Sequence, residues 1–593
     1  MSVDEQHDSA SRSHKLNALF FRRLYSLSEP YWCRKAAWKS WTIMVMLLSS
    51  AGALSIIGGY ISNLVADSTN ALVAKESIYW HIMIWMAFVS LMQTLTNQVT
   101  SFFSTWLLLD WRKWMTNHLL HTYMHNRTYY EIEKDAFIDN PDQRIQEEVP
   151  SVCQTVIGIP QFIISSMMTI AVQASIIIKV SPGMFWAVVI YSMLNTLVSL
   201  WLYNPTIKQN WDLTVANARL RSKLMHLRDN AETIAFYRGE HSERLRLHQR
   251  LKEVGRVKRT MIYYGIRMGV VNQVLSLIFS LLPVIFIVPL YFQGNVAYGS
   301  IDQVGAASAM VLTGLSVISN FIPAMTSAMP SVVRLAEIQE KFEQISNQES
   351  QHNHSRIRHR EGEVIALQNV NVYTPGGEQH LVTDLSLTIA PGQNTVIVGQ
   401  TGVGKSSLLR AISGLWSRGE GEVVLPPHQQ LMFIPQQPYM ILTDLRSQLF
   451  YPESCTSSDD LQVHQAFIRL GRPDFLAKQG GLDCIKDWRK VLSLGEQQLV
   501  AFARILLRRP RYVFLDEATS AMDVETEQQA YSALGGLDIT YISVGHRETL
   551  LKFHPQKLHL MAKGEWQLTQ LAQTSSNHSD IPNSENNVQA WVS

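Results

Sequence analysis

Cysteine is scarce in this chain of 593 residues. There are four, Cys33, Cys153, Cys455 and Cys484, and no two stand at the spacing of a zinc site or a redox pair. A disulfide-stapled or zinc-built fold is thereby excluded, and the thiols read as idle groups on a reducing side. Charge is scarce too. Asp, Glu, Lys and Arg make up 17% of the chain, where about 25% is usual in a soluble protein. Net charge is only +2, so no field of one sign points to nucleic acid as a partner. A cleavable signal peptide is not expected: the first ~20 residues are polar and mixed in charge, and the first apolar run is too long for a signal core. No internal repeat doubles the chain.

What is abundant is apolar sequence in long runs. Hydrophobic residues make up 46%, concentrated in residues 40–110 and 155–335. A helix needs about 20 apolar residues to cross a bilayer core. Six stretches qualify: 38–65, 78–109, 156–180, 183–203, 264–292 and 304–331. Basic residues orient them. Thirteen Lys and Arg fall within 208–259, five more (Arg112, Lys113, Arg127, Lys134, Arg144) lie between spans two and three, and Arg22, Arg23, Arg34 and Lys35 precede span one. The opposite loops carry only Lys75 and Lys179. Both termini and both long loops are therefore expected on the cytoplasmic side. Those loops, 111–155 and 205–262, hold few Gly or Pro and keep a helical period. An extension of about 25 residues at ~1.5 Å each reaches nearly 40 Å beyond the membrane.

From residue 362 short strands and helices alternate. A buried strand at 394–398 runs into Gly399, Gln400, Thr401, Gly402, Val403, Gly404, Lys405 and Ser406, and a helix opens at Ser407. This is the G-x-x-x-x-G-K-[ST] phosphate loop in its strand–loop–helix setting. Backbone N–H groups and the helix N-terminus can cradle phosphates. Lys405 is placed to reach the β- and γ-phosphates, and Ser406 to bind Mg²⁺. A second apolar strand, 512–515, ends in Asp516 and Glu517. Asp516 can hold Mg²⁺ through water, and Glu517 can polarise the attacking water as general base. Gln436 follows another apolar strand and can sense Mg²⁺ and water. His546 follows the strand 540–544 and can contact the γ-phosphate. Ser493 and Gly495, about 20 residues before Asp516, open a helix with small residues suited to a γ-phosphate.

This constellation resembles the ATP-binding-cassette superfamily over nearly the whole chain. "VLSLGEQQLVAFAR" at 491–504 is similar to the family signature, and "DEATSAMD" at 516–523 to the second nucleotide motif with its D-loop. The resemblance implies that Tyr373 stacks on adenine. It also implies a head-to-tail dimer, with each ATP between the phosphate loop of one copy and Ser493, Gly495 and their neighbours Glu496 and Asp523 of the other. Two departures stand out. Leu494 and Glu496 replace a glycine and a glutamine of the usual signature, and Leu499 stands where a basic residue is usual. Hydrolysis is expected to survive, with altered rate or cooperativity.

Three further stretches, "DNPDQRI" at 139–145, "LRDNAETIAFYRGE" at 227–240 and "ISVGHRETLLKFH" at 542–554, resemble subfamily D half-transporters and their bacterial relatives. That group carries cobalamin, peptides and fatty acyl-CoA. The implied architecture is an exporter-type helical membrane domain of six long spans plus a C-terminal α/β P-loop NTPase. The expected layout is a polar segment at 1–36, the membrane domain at 37–345, a linker at 346–361, the cassette at 362–572 and a disordered tail at 573–593. The expected machine is a homodimer, with a heterodimer possible, that uses ATP and Mg²⁺ to move a small-molecule or peptide cargo. Cobalamin-like or peptide cargo is favoured; a fatty acyl-CoA carrier or an ATP-gated channel on the same fold is the alternative. The expected membrane is a bacterial inner membrane, with a lysosomal or peroxisomal membrane as the alternative. In 139–145, Asn140 and Pro141 are expected to break a helix and present Asp142, Gln143 and Arg144 at a turn for the cassette.

Overall fold

The structure, a computed structural model, describes residues 18–135, 138, 140–351, 356–374, 379–416, 418–453 and 460–571. The expected tail and Cys455 lie outside the described residues. The chain divides into two compact units, Met1–Asn347 and Gln348–Ser593.

The first unit is helical. Helix α1 (Ala18–Trp32) buries Phe20, Leu24, Leu27 and Tyr31 along one stripe, the spacing of an amphipathic helix. The long helices follow: α2 (Ala37–Val73), α3 (Ile78–Met124), α4 (Pro141–Val180), α5 (Pro182–Asp229) and α6 (Glu240–Phe292). Among the described residues these five are long and apolar enough to cross a membrane. Helix α5 starts where Ser181 caps it, accepting from the Met184 N–H at 3.4 Å, with Pro182 in the first turn. The expected cytoplasmic extensions are continuous helix: α5 carries on to Asp229 and α6 begins at Glu240. Arg219 of α5 and Arg250 of α6 both donate to Glu253, at 2.9 and 3.0 Å, fastening the two extensions together.

The sixth expected span is divided. Helix α7 (Gly299–Leu315) stops, Ser316 leaves the helical region, and α8 (Val317–Gln351) begins. Gly314 sits beside the break, and a Cβ there would lie 2.7 Å from Ile170 of α4. The Ser316 hydroxyl accepts from the Asn195 amide of α5 at 3.4 Å. Close approach at a glycine and a serine bonded sideways are recognised causes of a helix break.

The turn at Asn140 is present, left-handed at φ 43°, with Pro141 opening α4. Arg144 departs from the expectation that it is offered outward. It is 4% exposed and donates to Glu337 Oε2 and to the Arg334 carbonyl of α8, both at 2.9 Å. Arg334 in turn donates to Glu148 of α4 at 2.8 Å. Such a reciprocal pair is costly to break from one side, because the remaining charge loses its partner. Arg144→Ala is expected to destabilise the membrane unit by about 1–3 kcal/mol, since Glu337 retains some solvent. The midpoint of thermal unfolding in detergent reads this; an unchanged midpoint would remove the pair from the account.

Among the described residues the second unit holds two sheets. One has the order β1-β5-β2-β3, from β1 (Arg358–Glu361), β2 (Ile365–Tyr373), β3 (His380–Ile389) and β5 (Gly419–Leu425). The other runs β10-β9-β4-β8-β7-β6, from β4 (Thr395–Val398), β6 (Leu431–Ile434), β7 (Tyr512–Asp516), β8 (Thr540–Val544), β9 (Gln556–Leu560) and β10 (Trp566–Gln570). All neighbours in the second sheet are parallel except the β10 edge. Its buried strands read as unbroken apolar runs, as parallel strands covered on both faces do. Strand β1 and the end of α8 fall inside the stretch 346–361 expected as linker. Of that stretch's histidines, His352 and His354 lie outside the described residues, and His359 is on β1, its ring within 2.9 Å of the Ala411 carbonyl.

Candidate active site

Register brings the site together. Ile397 pairs with Val544, Val544 with Asp516, and Leu515 with Ile434. Four parallel strands thus end level, and whatever follows them shares one edge. In open α/β sheets ligands bind at that carboxyl edge. The phosphate loop follows β4, Gln436 follows β6, Glu517 follows β7, and His546 follows β8.

The loop's shape needs glycine. Gly402 and Gly404 hold φ of 85° and 107°, a region that side chains resist. Gly404 precedes helix α9 (Lys405–Ile412), where a Cβ would stand 3.0 Å from Leu381. Lys405 is 6% exposed. Its ammonium donates to the carbonyls of Gly399 and Gln400, both at 2.9 Å. Burial pushes its pKa below the usual lysine value, against the opposing pull of Glu517 and Asp516. Phosphate oxygens beside it would relieve that penalty. Gln400 and Thr401 are exposed at the loop's outer rim, while Val403, Ser406 and Ser407 are half-buried.

The Ser406 hydroxyl donates to Asp516 Oδ1 at 3.1 Å. Burial raises the Asp516 carboxyl above its usual range; the Ser406 bond opposes this, and the charge of Glu517 adds to it. Glu517 itself sits in left-handed backbone, φ 47°, which costs an L residue about 1–2 kcal/mol. Its N–H donates to the Val544 carbonyl at 3.0 Å, turning the carboxylate across the sheet edge. There Gln436 Nε2 donates to Glu517 Oε2 at 2.9 Å, and His546 Nε2 lies 3.3 Å from Oε1. Gln436, Glu517 and His546, separated by 81 and 29 positions, thus form one cluster beside Lys405, Ser406 and Asp516.

Ser493, Gly495, Glu496 and Asp523 are elsewhere. They line a different cavity, of about 380 Å³, together with Arg472. Ser493 caps helix α10 (Leu494–Arg508): its hydroxyl accepts from the Glu496 N–H at 3.3 Å, while Glu496 accepts from the Ser493 N–H and hydroxyl at 2.9 Å. The departure Glu496 therefore completes a capping box. Asp523 caps helix α11 (Val524–Gly535), accepting from the Thr526 N–H at 2.7 Å and pairing with Arg472 at 3.2 Å. Tyr373 ends β2 with its ring against His380, centroids 4.7 Å apart, and its carbonyl accepts from Trp416 at 3.0 Å.

Comparison with known proteins follows the same division. Residues 30–292 match the model of the ABC transporter transmembrane region 2, and residues 382–520 that of the ABC transporter. An ABC transporter ATP-binding protein of Synechocystis is 36% identical over 90% of this chain and 82% of its own. This chain belongs to the ABC transporter family. Its relatives include a lysosomal cobalamin transporter of Mus musculus, 31% identical over 78% of this chain and 82% of its own. The ATP-binding cassette sub-family D member 3 of the same species is 26% identical over 81% of this chain and 78% of its own. The chain is therefore a membrane-spanning transporter subunit of subfamily D type, which binds ATP and couples its hydrolysis to transport.

Two polar residues in the ATPase unit, the buried Gln498 and the half-exposed Arg547, escaped the motif reading. Gln498 and Arg547 lie within recognised stretches, but their partners are mostly backbone groups distant in sequence. A spacing rule has no means of registering such contacts.

Proposed function

We propose that two copies of this chain form an ATP-driven pump, each contributing six spans in the exporter-type arrangement. The carrying observation is the Glu517 carboxylate held between Gln436 and His546. In that reading Glu517 is the general base, Gln436 orients the water, and His546 faces the γ-phosphate. Mg²⁺ takes hard oxygen ligands, and the Ser406 hydroxyl, the Asp516 carboxylate and the Gln436 amide are such a set. Residues 399–407 cradle the phosphates and Tyr373 stacks on the base. The separation of Ser493, Gly495, Glu496 and Asp523 from this cluster supports a head-to-tail dimer, in which they face the ATP of the other copy. The intact hydrolytic set favours a pump over an ATP-gated channel. The division at Ser316 is compatible with a sixth span, α7 and α8 running on in series.

The cargo we propose is hydrophilic or amphipathic, cobalamin-like or a peptide. The cobalamin-transporting relatives support the first. The Synechocystis relative supports a bacterial inner membrane. Polar side chains inside the helices are consistent with a wet path, though some serve packing: Gln173 of α4 donates to the Met310 sulfur of α7 at 3.0 Å. In liposomes loaded with purified dimer, cobalamin or peptide is expected to stimulate ATPase at least about twofold, and acyl-CoA not. Stimulation by acyl-CoA alone would reassign the cargo. Failure of every solute to move with ATP would remove the pump.

A further inference from the structure

The loop that leaves the catalytic carboxylate, 517–523, is gripped from two sides. On one side is Gln498 of α10, fully buried. Its Nε2 donates to the Gln436 carbonyl at 3.0 Å and to the Ser520 hydroxyl at 3.2 Å, with the Glu517 carbonyl at 3.4 Å. Its Oε1 accepts from the Ala521 N–H at 3.0 Å. On the other side is Arg547, next in chain to His546. It donates to the carbonyls of Ser520 and Met522, both at 3.0 Å, and to Glu527 Oε2 at 3.3 Å. Glu527 is itself fully buried and accepts from Thr519 at 2.7 Å and from Thr549. Within the loop, Ser520 and Met522 donate their N–H groups to the carbonyls of Glu517 and Thr519. The turn is thus held mostly through its main chain, with the Ser520 and Thr519 hydroxyls adding side-chain bonds.

The clamp bonds two members of the catalytic cluster and adjoins the third in the chain. One amide holds the backbones of both Gln436 and Glu517, whose side chains bond each other. The guanidinium is one residue from His546. On the outer side, α10 also carries Gly495, where a Cβ would lie 2.7 Å from the Ala521 carbonyl. The surface bearing Ser493 and Gly495 is therefore in rigid contact with the turn that leads back to Glu517. A densely bonded polar network of this kind, buried at Gln498 and Glu527, has few alternative arrangements.

We propose that Gln498 and Arg547 are positioning residues for hydrolysis: together they lock the 517–523 turn so that Glu517, Gln436 and His546 keep their mutual placement and follow any movement of the Ser493–Gly495 surface. Neither touches nucleotide. The inference rests on Glu517 being the catalytic carboxylate.

The test is ATPase kinetics of the full-length chain in liposomes. Gln498→Met keeps volume but loses every bond. Arg547→Lys keeps charge beside Glu527, but its single nitrogen cannot occupy both positions from which Nη1 and Nη2 reach the Met522 and Ser520 carbonyls. Each is expected to lower kcat about tenfold with KM for ATP within about twofold, because residues 399–407 still grip the nucleotide. The double variant is expected to fall no more than about threefold below the worse single one, since both disable the same turn. Independent, multiplying losses would overturn the proposal, as would a KM rise at unchanged kcat. If Gln498→Met fails to fold, Arg547→Lys decides alone: a loss of kcat at unchanged melting temperature supports the clamp, and unchanged kcat removes it. Glu517→Gln separates the two readings. If that variant turns over normally, the assignment of the base has failed; if it is dead while the clamp variants are normal, only the clamp has.

Discussion

Glu517→Gln is expected to bind ATP as tightly as the unaltered chain and to hydrolyse it at least about a hundredfold more slowly. The substitution is nearly isosteric. A glutamine oxygen can still accept the Gln436 amide, which now reaches Glu517 at 2.9 Å, and the left-handed backbone at this position is unaltered. What disappears is the group able to take a proton from water. The phosphate loop, Lys405 and the Ser406–Asp516 pair remain, so affinity has no reason to fall. In the proposed dimer the expected product is a closed state with nucleotide trapped, seen as retained ATP binding with a flat phosphate-release trace. Turnover within about tenfold of the unaltered chain would move the base elsewhere.

Lys405→Met is expected to act on the opposite quantity, weakening ATP binding by about ten- to a hundredfold, the loss of one or two charge-assisted hydrogen bonds. The lysine's position makes a second expectation possible. The residue is 6% exposed, and burial depresses its pKa. A folded-state pKa lowered below the ordinary value means that the charged form costs stability at neutral pH. Methionine removes that cost while filling the space, so the melting temperature is expected to hold or rise without nucleotide. Isothermal titration with ATP and a thermal melt read the two effects separately. A variant that lost binding only because it had unfolded would fail the second reading.

The two predictions differ because the two halves of the proposed hydrolytic set depend on different things. The phosphate grip is local: residues 399–407 are contiguous, and glycine conformation with one helix N-terminus supplies most of it. It was legible in the sequence for that reason. Asp516 and Glu517 were legible because a short apolar strand ending in acids is a local pattern. Gln436 and His546 were legible only through their order relative to the others, and it is the level ending of four parallel strands that joins them.

Other features left no such trace. Strand β1 reads "RHRE" and is exposed at all four positions; with no alternation to mark it, it passed for linker. The break at Ser316 interrupts an apolar run that shows no interruption in hydropathy, because its cause includes Asn195 on another helix. Arg144 looked like a residue offered to the cassette. It turned inward because Glu337, 193 positions later, stands beside it.

The amino-acid sequence by itself determined which chemistry this chain carries and that its first unit must cross a membrane, because phosphate loops and spanning helices are built from neighbours in the chain. Tertiary structure alone decided how the 517–523 turn is held, which way Arg144 faces and where the last membrane helix breaks. Those outcomes depend on hydrogen-bond partners that only strand order and helix packing bring within 3 Å or so of one another.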